Sequence, residues 1–291
     1  MPWAYELAQK TKKAIILFPI AFHMNRAEEI WSDRRAMVEV AQFRKKNYPE
    51  NTNCSFVNAA ISSRLEAHPQ RIFWSGFQTY SDVIQVVKNI RNHQIQSISP
   101  ETSIDFFGYS IGSFLSMILK MADPEGIFEN SKLFCFCGGM TIDRMFPISK
   151  YIMDARAAIK MQTVFAELLS SDFQSDERLG HFQDEKLHPQ ESWFKMMLRY
   201  NYFQKEREER IKKLHHQIKL YVLEKDEVAP PIEALNTLQG GYRNIKTEVE
   251  IQDFSYEYSH MVPFPLTNKI QKEVTEAFQH FVNSASDFYN E

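Results

Sequence analysis

Short apolar runs of strand length, separated by longer amphipathic stretches, set the strongest constraint on what this chain can become. Residues 14–18 (AIILF), 104–107, 133–137 and 218–223 are such runs, and 247–251 fits a further strand. Between them, apolar residues recur at helical spacing, as in Val83, Val86, Val87 and Ile90 within 80–92. This alternation is the pattern of strands joined by crossover helices, so the expected fold class is α/β, with a mostly parallel central sheet and helices on both faces. The AIILF run, closed by Pro19, reads as a strand buried on both faces. Residues 54–61 fit another strand. Residues 27–46 read as a helix before Pro49, and 267–281 as the last helix, with Ile270, Val274, Phe278 and Phe281 on one side.

About 80 residues separate the run at 133–137 from the one at 218–223, too many for a single crossover helix. The expectation is a helical cap over 141–214, inserted into a core made of 1–140 and 215–291. Helices are expected at 148–169 and 191–203. The aromatic and methionine side chains of the second, among them Trp193, Phe194, Met196, Met197 and Tyr200, are expected to pack the cap onto the core. The charged run 205–213 (KEREERIKK) reads as a solvated helical face.

The most informative stretch follows the run at 104–107. Gly108-Tyr109-Ser110-Ile111-Gly112 stands there, and from Ile111 the residues Phe114, Leu115, Ile118, Leu119 and Ala122 form a helical stripe. A serine attacks a carbonyl only if its hydroxyl is held clear of the backbone. A sharp strand-to-helix turn does this, and glycines two before and two after it are expected because β-carbons there collide across the turn. With nine glycines and 22 serines in 291 residues, chance yields about 0.02 such pentapeptides.

With this motif in this setting, the sequence resembles the α/β-hydrolase superfamily, in the manner of a serine esterase or lipase with a helical cap. The resemblance implies a nucleophile, acid, histidine order along the chain. Ser110 is then the nucleophile. The segment Tyr221-Val222-Leu223-Glu224-Lys225-Asp226-Glu227-Val228-Ala229-Pro230 is similar to the family's strand end with its acid, which points to Asp226, with Glu224 and Glu227 as competitors. Histidine suits the base because its pKa near neutrality lets it take and return a proton. Of nine histidines only His260 and His280 follow Asp226. His260 lies in a loop after the last strand and resembles the family's base; His280 lies within the terminal helix and reads as a surface residue.

The Ile111 amide at the start of a helix is one expected oxyanion donor. The second is expected in the loop after residue 18, from Ile20 or Ala21, since Pro19 has no N–H. That loop lacks the family's usual glycine. His23, in the same loop, is expected to pack or face substrate. The expected activity is hydrolysis of a carboxylic ester through an acyl-enzyme. A thioesterase or acyltransferase with the same triad, or a non-catalytic ligand-binding protein on the same fold, remain the alternatives.

No metal or cofactor is expected, the partner being a small ester or acyl compound. The pairs His68-Pro69, His188-Pro189 and His215-His216 lack metal-ligand spacing and read as surface or turn residues. Cys54, Cys135 and Cys137 are too few for a disulfide framework. On a strand, Cys135 and Cys137 share a face and act as small buried hydrophobes. With 34 basic and 37 acidic residues and a net charge of −3, no basic face suggests nucleic acid as a partner. The first thirteen residues lack an apolar signal core, and the AIILF segment is far too short to span a bilayer, so a cytoplasmic location is the expectation.

Overall fold

A computed structural model describes residues 2–291 of the chain. Four strands, β1 (Phe106–Tyr109), β2 (Leu133–Phe136), β3 (Ile218–Leu223) and β4 (Glu248–Gln252), form one parallel sheet in the order β1-β2-β3-β4. Before β1 come α1 (Pro2–Thr11), α2 (Arg34–Asn47), α3 (Ala59–Ala67) and α4 (Arg71–Arg91). Helix α5 (Ile111–Ala122) joins β1 to β2, and α6 (Ala155–Ser170), α7 (Glu177–Gln183) and α8 (Gln204–Leu214) lie between β2 and β3. Helix α9 (Pro231–Leu238) joins β3 to β4, and α10 (Gln271–Asn290) follows.

Alternation along the strands divides the core into two layers. The row Gly108, Cys135, Leu220, Val249 runs across the sheet in register, and its side chains face a large core built with α4, α5, α6 and α9. The next row, Tyr109, Phe136, Tyr221, faces α1 and α10. There Trp3 meets Phe107, Tyr109, Phe136, Phe264 and Phe281 edge-on, at centroid distances of 5.3 to 6.3 Å, a favoured aromatic geometry. Helix α5 is buried on every side from Ser113 to Ala122. Its Lys120 is buried as well, and donates to the carbonyls of Phe128 and Glu129.

Two expected strands are absent. Residues 14–18 lie outside the sheet, with Ile15, Ile16 and Leu17 exposed. The run is tethered at both ends: Lys13 pairs with Asp105, and the Ala21 amide donates to Thr79 Oγ1. Apolar content alone signals a strand but not a partner for it. Residues 54–61 form a turn leading into α3, because the Asn58 side chain takes up the carbonyls of Asn53 and Ser149 and accepts from the Ser55 amide. Polar side chains that satisfy nearby backbone compete with a ladder in this way.

The long segment between β2 and β3 is helical. Met161, Phe165, Phe194, Met197 and Leu198 sink into the same core as α4 and α5, but 191–197 is a 3-10 turn rather than an α-helix. The charged run forms α8, but not as a wholly solvated face: Ile211 is buried, and Arg207 is fully buried and donates to the carbonyls of Met196, Tyr200 and Tyr202. Cys135 and Cys137 are both buried but do not share a layer. The strand ends at Phe136, and Cys137 takes φ +47°, which turns it to the other side. Among the described residues, no helix is long and apolar enough to cross a membrane.

Candidate active site

Ser110 follows β1 directly and precedes the first residue of α5, with φ +54° and ψ −121°. A non-glycine residue at positive φ stores strain, and here the surroundings enforce it. Ser110 N–H donates to Phe136 O, and its carbonyl accepts from the Ser113 amide. A β-carbon on Gly108 meets Ser113 Cα at 2.5 Å, so only glycine lets the strand and helix approach so closely. Gly112 plays no such part, since a β-carbon there meets nothing within 4 Å. The second necessary glycine is Gly138, after β2, where a β-carbon falls 2.7 Å from Ser110 O and from Ser113 Cβ. Sequence spacing around the serine pointed to the wrong partner because this contact crosses between strands.

Asp226 lies three residues beyond β3. Its Oδ1 accepts from the amides of Val228 and Ala229, both at 2.9 Å, and its Oδ2 lies 2.8 Å from His260 Nδ1. Both side chains are almost wholly buried. His260 Nε2 lies 2.7 Å from Ser110 Oγ. Three side chains from the carboxyl ends of β1, β3 and β4 thus join in one hydrogen-bonded line, at the end of a parallel sheet where sites are commonly built. Glu224 and Glu227 are exposed and take no part. His280 sits on the surface beside Glu250.

A family model described as a family of unknown function (DUF6051) matches residues 1–290. The chain belongs to that family. No curated protein matches it.

The remaining candidates separate by what their atoms already do. No carbonyl within the described chain accepts from the Ile111 amide, at the positive end of α5. Ala21 is a poor donor to a ligand, because its N–H is held by Thr79 Oγ1 at 2.8 Å and its carbonyl by Ser75 Oγ at 2.6 Å. Ile20 is half-buried against the large core and its amide has no acceptor among the described residues. His23 is half-buried beside Ala21, and burial pushes its pKa below the ordinary value.

The sequence reading did not bring Cys137 to the site. Its Sγ and one ligand atom each from Asp226 and His260 lie within 4.8 Å of one another, the only such three-residue group among the described residues. Metal ligation needs a thiolate, whereas burial, with Asp226 beside it, pushes this thiol far up. Asp226 and His260 also already engage each other. The arrangement therefore fits a proton relay rather than a metal centre.

Proposed function

We propose that the protein is a serine hydrolase of the α/β-hydrolase kind, cleaving a carboxylic ester through an acyl-enzyme on Ser110. The observation that carries this reading is His260 bridging Ser110 Oγ and Asp226 Oδ2 at 2.7 and 2.8 Å, with Ser110 on a strained turn. An imidazole that donates from Nδ1 to a carboxylate presents a lone pair at Nε2, which is what a serine hydroxyl needs to lose its proton. Asp226 holds that tautomer, and the Val228 and Ala229 amides hold Asp226.

The steps follow. Ser110 Oγ attacks the ester carbonyl as its proton passes to His260 Nε2. The oxyanion is received by the Ile111 amide, with Ile20 as the second donor. His260 then protonates the departing alcohol oxygen, and water, activated by the same nitrogen, releases the acid. An apolar acyl or alcohol group is favoured: Met261 and Val262 follow His260 with much of their surface exposed. Phe146, also exposed, is tied by its amide to the Val228 carbonyl two residues from Asp226. In this reading the helical segment between β2 and β3 serves as the cap.

Treatment of the pure protein with a fluorophosphonate probe, followed by mass spectrometry, tests the proposal. Adduct on Ser110, absent in Ser110→Ala and strongly reduced in His260→Ala, is expected. A well-folded protein that takes no label overturns the hydrolase reading in favour of ligand binding. Comparison of short esters, long esters and acyl thioesters then distinguishes esterase from thioesterase.

A further inference from the structure

Two histidines meet far from the relay, in the segment between β2 and β3. His181 lies in the last turn of α7 and His188 in the loop after it. Their Nε2 atoms are 3.0 Å apart, with the rings crossed at 76°. Two nitrogens bound to one ion at about 2.1 Å, with an angle between right and tetrahedral, stand about 3.0–3.4 Å apart. The observed separation has that geometry.

The two nitrogens share a hydrogen bond, and the surroundings of His188 prepare its Nε2 as a ligand. Glu191 Oε2 faces His188 Nδ1 at 3.5 Å, which favours the proton on Nδ1 and leaves Nε2 with its lone pair. A carboxylate behind the far nitrogen is the usual support of a metal-bound imidazole. The loop is shaped by short-range bonds: the His188 amide donates to Asp184 O at 2.8 Å, and Asp184 Oδ1 accepts from Lys186 and Leu187. Phe182 packs against both rings, with centroids at 5.3 and 4.7 Å. Glu177 stands one helical turn before His181, on the same face of α7, and the two line one surface cleft with Trp74 and Arg178.

We infer that His181 and His188 bind a borderline divalent cation such as Zn2+, with water completing the shell. Imidazole donors without a thiolate suit Zn2+, Cu2+ and Ni2+ rather than Ca2+ or Mg2+. The ion would tie α7 to the loop that leads into the turn at 191–197, whose Phe194 packs on Phe77 of α4 with centroids 4.3 Å apart. His188 alone, beside Pro189, offers no ligand spacing; the partner seven residues earlier becomes visible only once α7 and its loop fold back.

Equilibrium dialysis of the full chain against Zn2+, with Co2+ absorption as a second readout, tests this. One ion per chain and a raised melting temperature are expected. His181→Gln and His188→Gln should each weaken binding by more than about tenfold, and Glu191→Gln by about tenfold, with the metal-free melting temperatures unchanged. Cys137→Ser should bind as the parent does. Stoichiometric binding that survives the double histidine variant, binding lost in Cys137→Ser, or no bound ion at all overturns the inference.

Discussion

The Tyr109 hydroxyl donates to the main-chain carbonyl of His260 while its ring lies against the imidazole, with centroids 5.4 Å apart and planes 21° from parallel. The residue that precedes the serine therefore clamps the loop that carries the histidine. Burial raises the phenol pKa well above its ordinary value, which keeps it a donor. Tyr109→Phe retains the ring and loses a bond worth about 1–1.5 kcal/mol. If the loop needs the clamp, fluorophosphonate labelling of Ser110 slows by about tenfold at an unchanged substrate KM. An unchanged labelling rate shows that ring stacking alone positions the base.

Asp226→Asn should leave the fold intact, because the amide oxygen can still accept from Val228 and Ala229. It can also accept from His260 only by turning its amide group away from those two donors. The imidazole then loses the tautomer that the proposed reaction requires, and the turnover number should fall by about 10⁴-fold. Ester turnover beside a thermal melt checks this; a loss below about tenfold argues that Asp226 is merely structural.

The glycines predict a contrast that sequence spacing does not. Gly108→Ala and Gly138→Ala force contacts of 2.5 to 2.7 Å against backbone or packed side chains, and each should cost about 1–3 kcal/mol or more. Gly112→Ala enters open space in the first turn of α5 and should be neutral or stabilise by up to about 1 kcal/mol. Urea unfolding midpoints of the three variants decide the matter. Equal losses for all three reject the contact between Gly138 and Ser110.

Relative to Lys120→Met, the parent should gain stability as pH rises on the alkaline side of neutrality. Burial lowers the Lys120 ammonium from 10.5 to about 8, while the unfolded chain keeps the ordinary value. Between these pKa values the unfolded state holds more protons on this group, so its contribution to unfolding free energy increases with pH across that window, and the full cost of the buried charge applies below it. The thiols of Cys135 and Cys137, and at higher pH Tyr80 and Tyr221, have pKa values that burial raises and give the opposite slope in parent and variant alike. Denaturant titrations of both proteins between about pH 7 and 10 should show the difference moving in the parent's favour. A difference that stays constant contradicts the buried charge.

The parts of the fold that sequence revealed are those in which periodicity and packing agree. Residues 111–122 alternate as a helix and are flanked by a strand and by Asp123-Pro124, and α5 occupies that span. The 218–223 run lies between a charged helix and a polar loop, and β3 occupies it. Residues 14–18 carry the same kind of apolar signal without a pairing partner, which no local pattern encodes. Ser110 could be named from the turn between two recognisable elements, and Asp226 and His260 from the resemblance of their loops, after the third and last strands, to the family's acid and base. Gly138 and Cys137 could not, since they reach the site from β2 through contacts made only in three dimensions. Arg207 disappears within a charged run for the same reason: nothing local distinguishes the one arginine whose partners are buried carbonyls.

The order of the sheet gives the relay one last property. Ser110 leaves the first strand and His260 the loop beyond the fourth, so their 2.7 Å contact joins segments that follow the two edge strands, 150 positions apart in the chain. Contacts of such long sequence separation are the slowest to form. If the proposed chemistry holds, reactivity at Ser110 should be a late marker of refolding, recovering after helical content has returned.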